Sequence, residues 1–155
     1  MADSDLINLY SKRILALAAD IPHLGRLDAP MGTARVRAPL CGSVVTVDLD
    51  VTDGIISRFA QDVKACALGQ AAASIVGNAI LGTTPDQVVA ARAQLAALLK
   101  KDGPTPDAPF EGLEILRAAQ NFSNRHASIL LSLDASLGAI DACAKTALPG
   151  SRTQT

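Results

Sequence analysis

The stretch "RAPLCGSVVTVDLDVTDGII", residues 37–56, alternates Val45, Val47 and Leu49 with Thr46 and Asp48. That period of two belongs to a strand with one buried face. Thr52, Asp53 and Gly54 follow as a turn into "IISRFAQDV" at 55–63, since an Asp-Gly pair accepts the positive φ that a tight hairpin needs. A shorter run, "ARVRA" at 34–38, comes first. Three short strands joined by turns predict a small antiparallel meander.

On either side the pattern is helical. Asp3 or Ser4 is expected to cap a first helix in which Leu6, Ile7, Tyr10, Ile14 and Leu17 recur at helical spacing, with Pro22 ending it. Residues 19–33, "ADIPHLGRLDAPMGT", have no period and read as an irregular connection. After the meander, "CALGQAAASIVGNAIL" (66–81) places Leu68, Ala72, Ile75 and Ala79 on one side of a helix whose small residues allow close packing. "GTTPDQ" (82–87) starts another, with Thr84 as N-cap, Pro85 at the first helical position and Gln87 closing a capping box, and this helix is expected to run to about Lys100. A proline-rich loop, a short helical piece near Leu113 to Leu116, and a last helix from about Ser123 to Cys143 complete the chain, the last burying Ile129, Leu130, Leu133, Leu137 and Ile140. The expected fold class is α+β: about three antiparallel strands with helices packed on one face.

Length and composition agree with one such unit. The 155 residues, 49% of them hydrophobic, suffice for one domain over residues 1–148, with 149–155 expected to form a disordered tail. A net charge of -1 gives no field that would recruit nucleic acid or an anionic membrane. The apolar runs fall short of the ~20 residues needed to span a bilayer, and the N-terminus lacks the basic and apolar segments of a signal peptide. A cytoplasmic protein is expected. Three cysteines, 41, 66 and 143, are an odd number set far apart, which argues against a disulfide framework.

Cys41, in "PLCGS", stands in a turn at a strand entrance. Cys66 stands at a strand-to-helix junction, where free N–H groups and the helix dipole favour a thiolate. One hairpin separates them, so both can reach the same edge of the sheet. The alternative for each is a small buried hydrophobe. Cys143, near the end of the last helix, reads as packing. His126 lies in the first turn of that helix, where its imidazole could reach a site at the helix end; His23 in the irregular connection is a weaker candidate. Arg125 and Lys64 flank the suspected site. Nothing forms a catalytic triad, a general acid–base pair, a phosphate-binding glycine loop or a CxxC motif, so enzyme catalysis is not expected.

"PHLGRL" (22–27), "GTARVRAPLCGS" (32–43), the hairpin with Asp53-Gly54, "ACALGQAAAS" (65–74) and "RHASILLSLDA" (125–135) together resemble the iron-sulfur cluster assembly scaffold family, of the NifU-like, IscU and SufU type. The resemblance implies a surface site of three cysteines and an aspartate, sometimes with a histidine. It also implies a non-enzymatic scaffold that receives sulfur from a cysteine desulfurase, holds iron or a nascent [2Fe-2S] cluster, or zinc in its place, and passes the cluster to acceptor proteins. Carried over by position, Cys41 and Cys66 are the first two cysteines and His126 an assisting ligand. This chain departs from the pattern in two places. Ser43 stands at the aspartate position, and the third cysteine is missing. An ungapped match through Asp134 and Ala135 puts Ser128 in its place, and a gapped one Ala127. The ungapped register is preferred, because an insertion would turn the helix by ~100 degrees. Cys143, ~15 residues or ~22 Å further along the helix, cannot replace the lost ligand. Two thiolates with one histidine leave a four-coordinate site incomplete within one chain, to be completed by water, glutathione or a second subunit. A monomer or weak homo-oligomer is expected. Two further readings stand beside the scaffold: a persulfide acceptor for a desulfurase, and a degenerate regulatory binding module of the same fold.

Overall fold

The computed structural model describes residues 10–39 and 42–147. β1 (Gly32–Arg37), β2 (Val44–Thr52) and β3 (Ile55–Lys64) form one antiparallel sheet in the order β1-β2-β3. The expected meander is present. Asp53 and Gly54 both take positive φ, 54° and 77°, which makes the β2–β3 connection the tight turn that an Asp-Gly pair encodes. Register pairs Ala34 with Val47 and Val47 with Gln61, and a bulge falls at Asp50/Val51.

Among the described residues, four α-helices accompany the sheet: α1 (Lys12–Ala19), α2 (Ala67–Ala79), α3 (Pro85–Lys101) and α4 (His126–Ala147). α1 is capped by Ser11, whose Oγ accepts from the Ile14 N–H at 3.3 Å. The expected cap at Asp3 or Ser4 lies outside the described residues, as does the tail at 149–155. Thr84 caps α3 with both arms of its capping box formed and Pro85 at the start, as its sequence predicts. The short helical piece is a 3-10 helix over Glu111–Ala119, and a single 3-10 turn, Ser123–Arg125, leads into α4.

α2 and α4 cover one face of the sheet. Gln61 Nε2 donates to Ala73 O of α2 at 3.0 Å, and Gly138 of α4 sits directly on Ala34. Val45, Val47 and Leu49 point into this core with Leu68, Ala72, Ile129 and Leu133, all buried. α4 passes the length and hydropathy test for a bilayer span, yet its Ile129, Leu130, Leu131, Leu133, Ala135, Ala139 and Cys143 are core residues of this fold. Leu137 and Ile140, expected on the buried side, are only half-buried, because the face pressed on β1 and β2 runs through Ala135, Ala139 and Cys143 instead.

The other face of β2 is not the polar, wet surface that its alternation suggests. Asp48 and Asp50 are buried there at 1% and 9% exposure, because the irregular connection folds over them. Asp48 accepts from Arg26 Nε (2.7 Å), Leu27 N–H (3.0 Å) and Thr33 Oγ1 (2.7 Å). Asp50 accepts from Met31 N–H (2.8 Å) and Arg58 Nη1 (3.0 Å). Burial by itself would raise the Asp48 carboxyl, but these donors, Arg26 first, hold it below the usual carboxylate range. The same connection pairs with the free edge of β3, Gln61 N–H donating to His23 O and Gly25 N–H to Gln61 O, both at 2.9 Å. At Gln61 the edge of β3 is thereby covered.

Candidate functional site

Two connections meet at one end of the sheet. Between β1 and β2 the loop is closed at its base by Ala38 N–H donating to Ser43 O (2.8 Å) and Gly42 N–H donating to Ala38 O (3.2 Å). β3 ends beside it, since Val44 pairs with Lys64, and two residues later Cys66 becomes the N-cap of α2 with φ -68° and ψ 170°. Cys41 lies outside the described residues. Its described neighbours Pro39 and Gly42 belong to this same end of the sheet.

Cys66 is half-buried, and its Sγ lies 3.5 Å from Ser128 Oγ. Ser128 Oγ lies in turn 3.0 Å from Ser43 Oγ. Both serines are buried, at 1% and 4% exposure. A cysteine is a poor cap, and Cys66 makes no capping hydrogen bond of regular geometry; the Leu68 and Gly69 N–H groups of the first turn nevertheless point their dipoles at the sulfur. Burial pushes the Cys66 thiol up, but the Ser128 hydroxyl, those two N–H groups and the Arg125 guanidinium outweigh it and hold the thiol below its ordinary value. The α2 N-terminus therefore makes this thiol easier to ionise than an ordinary cysteine.

What lets Ser128 approach is the glycine one turn after Cys66. A Cβ at Gly69 would stand 2.6 Å from Ser128 Oγ and 3.1 Å from Ser128 O, so only glycine permits α2 and α4 to touch at their N-terminal turns. His126 is two residues before Ser128, about 200° around the same helix. It therefore faces another way. Its Nε2–H donates to Ala119 O at 2.9 Å, and the ring lines a groove with Arg92, Lys100 and Asp134 that Ala127 also borders. The structure brings Cys66, Ser128 and Ser43 together and does not bring His126 to them. Among the described residues, no three His, Cys, Asp or Glu side chains converge as a metal site.

Comparison with known proteins adds the family. The model of the NifU-like N-terminal domain matches residues 9–127. The chain belongs to that family. The NifU-like chain is 38% identical, with a TM-score of 0.89, to the crystal structure of a nitrogen-fixing NifU-like protein (N-terminal) from Brucella abortus, over 92% of this chain and 99% of that one. It also shares its fold with a protein assigned as an iron-sulfur cluster assembly scaffold of the SUF system from Fervidobacterium islandicum, at TM-score 0.72 and 18% identity over 83% of this chain and 94% of that one. No curated protein matches it. The resemblance read from the sequence, and the α+β fold that it implied, are borne out.

The remaining candidates in this NifU-like domain lie apart from Cys66. Cys143 is buried at 3% exposure against the far end of β2, its Sγ donating to Leu49 O at 3.4 Å. Burial and the neighbouring Asp50 push that thiol up, as suits a packing residue. Leu49 is five residues along β2 from Val44, which places Cys143 ~17 Å from the Cys66 end. His23 sets its ring edge-on to Phe59, with centroids 6.1 Å apart. Two features were missed in the sequence: the close approach at Gly69, which a glycine one turn after a helix-capping cysteine signals, and the clamp that Asp48 and Asp50 place on residues 26–31.

Proposed function

We propose that this NifU-like domain acts in iron-sulfur cluster assembly, as a scaffold or carrier that takes iron or a nascent cluster on the thiolates of Cys66 and Cys41. The observation that carries this reading is the environment of Cys66: a half-buried sulfur at a helix N-terminus, held toward the thiolate by Ser128, two backbone N–H groups and Arg125. Soft thiolates suit iron-sulfide and Zn(II). Ser43 and Ser128 offer only neutral hydroxyls where the family pattern has stronger ligands, so one chain supplies fewer than four. The cluster is cargo, of [2Fe-2S] type, completed by an external thiol or by a second copy of the chain, and a weakly completed site suits release to an acceptor protein. In this reading His126 is no ligand, and its ring braces Ala119 against α4. A cysteine desulfurase supplies the sulfur, in the cytoplasm.

Anaerobic reconstitution tests it. Visible charge-transfer absorption with matching iron and sulfide, lost in both Cys41→Ser and Cys66→Ser, is the expected result. A colourless, metal-free protein under every condition overturns it.

A second reading follows from the same hydroxyls. With serines in place of ligands, the Cys66 thiolate stays free to attack. It would take the outer sulfur of a desulfurase persulfide, releasing the desulfurase thiolate and leaving Cys66 as a persulfide. Mass spectrometry after desulfurase treatment separates the two readings, since a one-sulfur adduct on Cys66 without bound iron belongs only to this one.

A further inference from the structure

The groove to which His126 turns is a second site, independent of the cysteines. It lies between α3 and the start of α4, with a volume of about 570 Å³, and is lined by Arg92, Lys100, Ser123, His126 and Asp134 over an apolar floor of Leu99 and Leu130. That volume is within the range of small-ligand sites. Its polar groups are of unequal availability. Arg92 Nε donates to Asp134 Oδ1 at 2.8 Å, which neutralises the groove's one carboxylate. Lys100, on the last turn of α3, makes no ion pair among the described residues and contributes a net positive charge.

His126 supplies the recognition element. The residue is 94% buried, and its Nε2–H is committed to Ala119 O. In the neutral ring Nδ1 is then an acceptor, and among the described residues nothing donates to it. Among the described residues, the fully enclosed side-chain atoms without a partner are Gln61 Oε1 and Ser132 Oγ. Nδ1 is not among those enclosed atoms, and the residue that carries it lines the groove. A buried acceptor beside two cationic side chains asks for a ligand that is anionic and also carries an O–H.

We propose that the α3–α4 groove binds hydrogen phosphate, with Lys100 and the outer Arg92 nitrogens on its anionic oxygens and His126 Nδ1 accepting from its O–H. A carboxylate would satisfy the cations and leave Nδ1 empty. Sulfate, which has the size and charge of hydrogen phosphate and no proton at pH 8, is the natural control.

The test is a two-dimensional NMR titration of the full chain with sodium phosphate and with sodium sulfate, at pH 8 and constant ionic strength, following the His126 ring nitrogens and the Arg92 Nε–H. The expected result is saturable movement of both signals by phosphate, with sulfate weaker by about tenfold, the weight of one hydrogen bond to a charged group. Lys100→Gln, on the exposed surface of α3, should weaken phosphate by a similar factor without changing the unbound spectrum elsewhere. Equal response to both anions, a response that never saturates, or a Lys100→Gln protein that binds phosphate as well as the wild type would each overturn the proposal. None of these outcomes touches cluster binding at Cys66.

Discussion

Ser43 and Ser128, 85 residues apart in the chain, hold their hydroxyl oxygens 3.0 Å from each other in the protein interior, and Ser128 extends the contact to Cys66 Sγ at 3.5 Å. The pair ties the β1–β2 loop to the first turn of α4 beside the Cys66 sulfur. Ser128 is thus the side chain that links Cys66 to Ser43.

Removing that hydroxyl should blunt the thiol. Ser128→Ala deletes a hydrogen bond that favours the thiolate, while the burial that opposes it remains. Alkylation of Cys66 by iodoacetamide at neutral pH should slow by about tenfold, followed by peptide mass spectrometry. Cys143, buried and shifted the other way, should stay unmodified in both proteins. An unchanged Cys66 rate would show that Ser128 does not act on the sulfur.

Gly69 is expected to be the least replaceable residue of α2. A methyl group there meets Ser128 Oγ at 2.6 Å and the Ala65 Cβ at 2.9 Å, so Gly69→Ala must push α2 off α4. We expect a loss of about 1–3 kcal/mol by chemical denaturation. A variant as stable as the wild type would mean that the two helices have room to separate.

Asp48 organises the back of the sheet. In Asp48→Ala the Leu27 N–H and the Thr33 hydroxyl lose a buried acceptor, for about 2–4 kcal/mol; the ion pair to Arg26 adds little, since that side chain is 59% exposed. Limited trypsin digestion should then cut after Arg26 well before the core is degraded. Retention of wild-type resistance would place the anchor of this connection elsewhere.

A pH signature should come from Glu114. Hydrogen bonds from Arg117 and Thr105 lower its carboxyl from 4.5 to about 2. A depressed carboxylate stabilises the fold above its unfolded value, and the contribution disappears as pH falls through the folded one. The stability difference between the wild type and Glu114→Gln should accordingly be constant well above pH 4.5 and shrink steadily as pH falls toward and through about 2. The side chain is 41% exposed, so the difference should stay below about 1 kcal/mol. A difference that does not shrink as pH falls from 4.5 to about 2 would assign it to something other than this charge.

Much of this protein was legible in the chain itself, wherever the signal was local. Asp53-Gly54 names its turn because those two residues alone must take positive φ. Thr84-Pro85-Asp86-Gln87 names a helix start because all the partners of the capping box lie within one turn. Cys66 falls at a strand-to-helix junction that periodicity alone locates. Tertiary structure decided the rest, because it depends on which distant surfaces meet. Ser128 faces Cys66 while His126, two residues away, faces the groove, and that choice is made by the rotation of α4 against α2, fixed where Gly69 lets the helices touch. Asp48 and Asp50 read as the wet side of a strand, since alternation reports that a face is polar and cannot report that a loop rich in donors will fold over it. Local rules fix which elements form; packing between residues tens of positions apart fixes what those elements present to a ligand.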